Sequence, residues 1–240
     1  MTYCVGLLLN EGIVLLSDTR TNAGLDNIST YRKMFTFEDP GERVIVIMTS
    51  GSLSVSQTAL AQLREAIEDP EATPETSIML APTMLKVAEI VGDRLAKVRE
   101  EIDHKLSAAQ GASASMIVAG QRKGGAMRLF LIYPEGNFIE ATEDAPFLQI
   151  GEHKYGKPIL DRVVKPSTTL ADAQKAVLLS MDSTLRSNLS VGMPLDLAVI
   201  ELDACKVTLK RRIEAGDPAF RAMSEAWSTA LRDGFARIAI

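Results

Sequence analysis

Thr2-Tyr3-Cys4-Val5-Gly6-Leu7-Leu8-Leu9-Asn10-Glu11-Gly12-Ile13-Val14-Leu15-Leu16-Ser17-Asp18 decides how this chain is read. Thr2 to Leu9 is an apolar run with β-branched and aromatic members. Asn10-Glu11-Gly12 is a turn signal, and Ile13 to Leu16 is a second apolar run, so the stretch reads as a β-hairpin. Chain ends fray unless something ties them down, and such a hairpin sets the start of the chain inside a sheet. Removal of Met1, expected of an aminopeptidase when the next residue is small, would leave Thr2 with a hydroxyl and a free α-amine. With an unperturbed pKa of ~7.7–8, that amine can serve as base for the hydroxyl beside it. The ordinary alternative is a start codon followed by a small residue.

Working outward, the second run ends in Ser17-Asp18-Thr19-Arg20, followed by Thr21-Asn22-Ala23-Gly24 and then Tyr31-Arg32-Lys33-Met34-Phe35. Threonine at the mature terminus, Asp18 about sixteen residues on and Lys33 about fifteen beyond that resemble the proteasome β-subunit pattern. The wording Ser-Asp-x-Arg-x-x-x-Gly, then Lys-Met-Phe, resembles it closely. Val44 to Gly51 is similar to that family's strand and glycine turn, and Ser115 to Gly120 to its central strand. The opening Met-Thr-Tyr-Cys-Val-Gly and a long C-terminal extension resemble most the bacterial branch called Anbu, the ancestral β subunit. The resemblance covers about residues 2–212.

Hydrophobic residues make up 46% of the 240, enough for a sizeable core, and the net charge is −5. Phosphate binding needs clustered Lys and Arg, and Arg211-Arg212 and Arg122-Lys123 are too short to supply it, so no nucleic-acid partner is expected. No run of eighteen apolar residues suggests a membrane span, and no basic start leads into an apolar core of signal-peptide type. A cytoplasmic protein is expected. Cys4 and Cys205 read as buried thiols. With His104 and His153 scattered, no zinc spacing is seen; no metal and no cofactor are expected.

Farther along, apolar spacing predicts helices at Ser52–Ile67 and Ser77–Leu106, the latter with Pro82 near its start. Ala108–Ser113 reads as a loop. Strands are expected at Ala114–Gly120, Arg128–Tyr133, Gly136–Ala141 and Phe147–Ile150, then helices at Gly156–Val164 and Leu170–Asn188. Strands at Leu195–Leu202 and Lys206–Arg212 and a helix at Pro218–Ile240 close the chain. Hairpin-connected strands argue against a parallel sheet, which needs a crossover between each pair. With no linker or repeat, residues 1–240 read as a single domain, core about 2–212 and helical extension about 218–240. The resemblance implies an α+β fold, a four-layer αββα sandwich of two antiparallel sheets flanked by helices.

The resemblance gives the site residues their roles. Thr2 is the expected nucleophile, its ester intermediate hydrolysed by water. Lys33 would lower the hydroxyl pKa and favour the neutral amine; otherwise it is a surface lysine with its stem along the sheet. Strand alternation puts Arg32 and Lys33 on opposite faces, and the spacing favours Lys33 inward. Asp18 would hold Lys33 charged, or else cap its own turn. Gly51, between a strand and a helix, is the candidate oxyanion donor or a purely conformational glycine. Near residue 150 the family has Ser-Gly where this chain reads Ile150-Gly151-Glu152. Near residue 190 it has Asp-x-x-Ser-Gly-Gly where this chain reads Ser187-Asn188-Leu189-Ser190-Val191-Gly192. Ser187, Ser190 and Glu152 are therefore the candidate proton-relay residues. An extended peptide would add beside Thr21-Asn22-Ala23 and Thr49-Ser50-Gly51, with Tyr31 and Thr49 walling the first pocket.

The expected activity is a threonine peptidase acting on peptide or protein in a self-assembled ring or open helical washer. Amidase action on a small amide, or a non-catalytic assembly or binding module of the same fold, are the alternatives. The final helix, with Trp227, Phe235 and Ile238 on a stripe, is either a subunit contact or intramolecular packing. With no Walker motif, an ATPase partner would be a separate chain.

Overall fold

The opening hairpin forms as read: β1 (Tyr3–Leu9) pairs antiparallel with β2 (Gly12–Asp18), Leu9 opposite Gly12 and Cys4 opposite Ser17. The computed structural model describes residues 2–22, 28–104 and 112–239. Met1, Ala23 and the expected helix end at Leu106 lie outside the described residues.

The remaining elements follow the predicted order of strands and helices. After the hairpin come β3 (Arg20–Asn22), β4 (Ile28–Thr30), β5 (Met34–Asp39) and β6 (Arg43–Gly51), then α1 (Leu53–Glu68) and α2 (Met84–Asp103). β7 (Ala114–Arg122), β8 (Arg128–Ile132), β9 (Phe138–Glu140) and β10 (Phe147–Gly151) lead to α3 (Lys157–Val163) and α4 (Leu170–Ser187). β11 (Leu195–Glu201), β12 (Leu209–Ile213) and α5 (Pro218–Ala236) complete the chain. One five-stranded sheet has the order β10-β1-β2-β11-β12 and the other β5-β6-β7-β8-β9; β3 and β4 form a small sheet of their own.

Both large sheets are covered on both faces, so their central strands read as near-continuous apolar runs, without polar–apolar alternation. Alternation survives as a choice between two interiors. Tyr3, Val5, Leu7 and Leu9 pack toward α3 and α4, while Cys4 packs toward the opposite sheet. On β6, Ile45 and Ile47 join the core under α1 and α2, while Val44, Val46 and Met48 fill the space between the sheets. Three apolar layers thus separate four structural layers, helices–sheet–sheet–helices. In the outer one, Phe130 meets Phe138 edge to face at 5.5 Å, a geometry that contributes about 0.5–1.5 kcal/mol beyond area burial.

Three departures from the sequence reading have local causes. The second long helix begins at Met84, not Ser77. Proline disfavours helical geometry in the residue before it, and Thr83 after Pro82 takes an extended conformation and caps the Lys86 N–H at 3.1 Å. The β3–β4 hairpin was not anticipated, because its strands are three residues long and mostly polar. Tyr31, Arg32 and Lys33 are not in a strand; β5 starts only at Met34.

The last helix is packed at its start and exposed toward its end. Asp217 caps the Phe220 N–H at 2.9 Å, Phe220 packs on the α4 side, and Arg186 reaches from α4 to the Ser224 hydroxyl at 2.7 Å. Farther on, Leu231, Phe235 (81% exposed) and Ile238 face outward. No helix among the described residues is long and apolar enough to cross a membrane.

Candidate active site

Asp18 ends β2 with its side chain completely buried. A carboxylate cannot stay there without donors, and the fold supplies three. Lys33 Nζ donates to Oδ1 at 2.7 Å, the Tyr3 backbone N–H to the same oxygen at 3.1 Å, and the Gly192 N–H to Oδ2 at 3.3 Å. Burial pushes the Asp18 carboxyl above its ordinary range; the Lys33 ammonium and the two backbone N–H groups act the other way.

Lys33 is 4% exposed, and its Nζ also donates to the Arg20 carbonyl at 2.6 Å. The expectation that Lys33 turns inward and Arg32 outward holds, but strand alternation is not the cause. The extended segment is pinned at both ends: the Tyr31 N–H donates to the Thr19 carbonyl at 2.8 Å, and the Lys33 carbonyl accepts from the Thr49 N–H at 2.9 Å.

Thr2 is 6% exposed and directly precedes β1. Its carbonyl accepts from the Glu152 N–H at 2.7 Å, and Tyr3 stands opposite Gly151 in the sheet. Gly151 has φ +83°, and a Cβ there would overlap the Thr2 carbonyl group. Only glycine fits so close an approach with that backbone. From Thr2 to Lys33 the connection runs through one peptide bond and one Asp18 oxygen that Tyr3 N–H and Lys33 Nζ share.

Gly51 closes β6 with φ +93° and an exposed backbone, and a Cβ there would overlap the Ser113 carbonyl. Ser52, next in line, caps α1. Gly51 therefore lies where the partial positive charge of a helix start begins.

The other anticipated residues are placed less uniformly. Glu152 adjoins Thr2 through its backbone. Ser187 is exposed at the end of α4, and Ser190 is half-buried with its N–H donating to the Asn188 side chain at 2.9 Å. The 188–192 loop reaches the Asp18 group through Gly192 N–H and through the Leu189 carbonyl, which accepts from Arg20 at 2.9 Å. Thr21 is half-buried on β3 opposite Ser29, and Tyr31 is 42% exposed. Thr49 is buried on β6, and its carbonyl faces the Cys4 thiol at 3.7 Å. Ala23 and Met1 lie outside the described residues. Gly192 N–H, the Arg20 carbonyl and the anchoring of Tyr3 were not singled out from sequence. All three contacts to Asp18 and Lys33 are made by backbone groups, which no residue type announces.

Residues 2–200 match the family model described as Proteasome subunit. No curated protein sequence matches the chain. Among solved structures, a Gly-1 mutant of Anbu from Hyphomicrobium sp. strain MC1 is 48% identical, with TM-score 0.93 and coverage of 100% of this chain and 99% of that one. Anbu from Yersinia bercovieri is 42% identical, with TM-score 0.92 over 99% and 98%. The helical assembly of the Anbu complex from Pseudomonas aeruginosa is 43% identical, with TM-score 0.93 over 99% and 97%. The chain belongs to the proteasome subunit family, in its Anbu branch.

Proposed function

We propose that the chain is a threonine-type N-terminal nucleophile hydrolase, a peptidase that acts in the cytoplasm through Thr2 after loss of Met1. The observation that carries this reading is the single Asp18 oxygen shared by the Lys33 ammonium and the amide of the residue bonded to Thr2. A cation buried there stabilises negative charge growing on the Thr2 hydroxyl and disfavours a second positive charge on the α-amine.

The Thr2 α-amine takes the hydroxyl proton as Oγ1 attacks the peptide carbonyl carbon. The tetrahedral oxyanion is met by the Gly51 N–H. The C–N bond breaks, and the leaving amine takes the proton from the α-ammonium. The remaining ester is hydrolysed by water, which gives a proton to the amine as it attacks and restores Thr2. Ser187, Ser190 and Glu152 are proposed as relay groups, Glu152 resting on its position beside the Thr2 carbonyl. An extended peptide is bound beside Thr21 and Thr49, with Tyr31 at the rim.

The test is the intact mass of native-source protein before and after incubation with a peptide epoxyketone, a reagent that needs both the hydroxyl and the free amine. The expected result is a chain lacking Met1 that gains one adduct, with none on Thr2→Ala. An unreacted chain still carrying Met1 would instead support the non-catalytic module.

Self-assembly into a ring or open helical washer is proposed alongside, supported by the Pseudomonas aeruginosa helical assembly of a 43% identical chain and by the outward apolar side chains of α5. Head-to-tail contacts close a ring or continue as a helix according to the rotation between copies. Truncation after Asp217 is expected to lower the mass measured by light scattering; an unchanged mass would sink the α5 contact.

A further inference from the structure

Tyr3 takes no part in the steps above, yet it is joined to the structure on both sides of Thr2. Its N–H donates to Asp18, the oxygen that holds Lys33. Its side chain runs the other way, under α4, and is fully buried. There the phenol oxygen shares a 2.6 Å hydrogen bond with the Ser180 hydroxyl and accepts another at 2.6 Å from the Gln149 side chain. Gly156 makes room for this group, since a Cβ on it would overlap Ser180 and crowd the phenol oxygen.

Gln149 lies on β10 two residues before Gly151, the residue packed against the Thr2 carbonyl. Its side chain also reaches the His153 carbonyl at 3.4 Å, and the His153 N–H donates to the Gly151 carbonyl at 2.9 Å. The segment that accepts Thr2 is thus tied to the Tyr3 phenol through Gln149, whose side chain also spans to the segment's far end at His153. Burial lifts the phenol to about 12, so it remains protonated at working pH and serves as no base.

We propose that Tyr3 is a positioning residue for Thr2: its phenol, clamped by Ser180 and Gln149, fixes where the Thr2–Tyr3 peptide enters the sheet and so how Thr2 stands relative to Lys33. The inference rests on the threonine-nucleophile reading. A reacting atom displaced by about 1 Å costs on the order of 10²-fold in rate, and the clamp acts on the peptide bond next to that atom.

The experiment uses the full chain lacking Met1 and follows epoxyketone adduct formation as a function of reagent concentration and pH. Tyr3→Phe keeps the ring and removes the hydroxyl. The expected result is a maximal rate lowered about tenfold or more, a half-saturating concentration close to wild type, and a moved midpoint in the rate–pH profile. Ser180→Ala and Gln149→Leu each remove one clamp and are expected to slow the reaction in the same direction with smaller effect. A folded Tyr3→Phe chain reacting at the wild-type rate overturns the proposal. So does a rate loss that only tracks the folded fraction and leaves the pH midpoint in place. If Tyr3→Phe does not fold, wild-type rates in both Ser180→Ala and Gln149→Leu overturn it. A wild-type chain lacking Met1 that takes no adduct overturns the threonine-nucleophile reading, and this one with it, and is read on the unsubstituted protein alone.

Discussion

Lys33→Met is expected to slow epoxyketone adduct formation, and turnover of any peptide substrate, by about 10²–10⁴-fold, the range typical for removing a positioned proton-transfer or charge-stabilising group. Methionine fills most of the lysine volume, so the loss reads on charge rather than on a cavity. In the proposed mechanism the ammonium would act on both functional groups of Thr2, favouring a negative hydroxyl oxygen and disfavouring a positive amine. Its loss should therefore also raise the apparent pKa governing the rate. Substrate half-saturation should change little, since no proposed binding contact is removed. A Lys33→Met chain with wild-type reactivity would show that Thr2 is activated without Lys33.

The second large effect is on stability. Asp18→Ala leaves the Lys33 ammonium buried with its main counter-charge gone, and breaking one partner of a buried pair costs about 3–5 kcal/mol. That is a large share of the 5–15 kcal/mol that holds a typical domain folded. Removing the cation as well should relieve much of it, so Asp18→Ala/Lys33→Met should be more stable than Asp18→Ala alone. Urea unfolding of the four chains in the double-mutant cycle gives the coupling. If the double variant is as unstable as the single, the cost lies in the lost Tyr3 and Gly192 hydrogen bonds rather than in the Lys33 charge left by the lost ion pair.

A pH dependence follows from the same carboxyl. Burial raises the folded-state pKa of Asp18 above 3.8. Between the unfolded and folded values the folded chain binds more protons than the unfolded one, so this group's contribution is present at low pH and falls as pH rises through that window. Lys33→Met removes the ammonium that opposes the shift and widens the window. Its deficit against wild type should therefore grow from about pH 4 upward.

Thr2, Asp18 and Lys33 were singled out because their spacing resembles a family pattern, and the structure pairs Lys33 with Asp18 at 2.7 Å. Gly51 was legible as glycine between a strand and a helix, and the structure adds that a Cβ there would meet the Ser113 carbonyl. Ser187 and Ser190 drew attention as hydroxyls at the right spacing, whereas the loop meets Asp18 through the amide of Gly192. The inward turn of Lys33 was expected on strand alternation; backbone hydrogen bonds of Tyr31 and Lys33 produce it instead. The start of α2 was misjudged because apolar periodicity continues through Ser77–Ala81 while Pro82 and the Thr83 cap set the boundary.

By itself the sequence determined what depends on local pattern: the opening hairpin and the alternation of strand groups with helix pairs; Thr2, Asp18 and Lys33 were singled out by the family resemblance. Periodicity of two or 3.6 is written in the order of residues, so it survives without coordinates. Only the tertiary structure decided how Asp18 is satisfied, why Gly151 must lack a side chain, and what clamps Tyr3. Those outcomes rest on backbone N–H and carbonyl groups, which every residue but proline carries alike. Which of them meet is fixed by the register of β1 against β10 and by the loop that brings Gly192 to the end of β2.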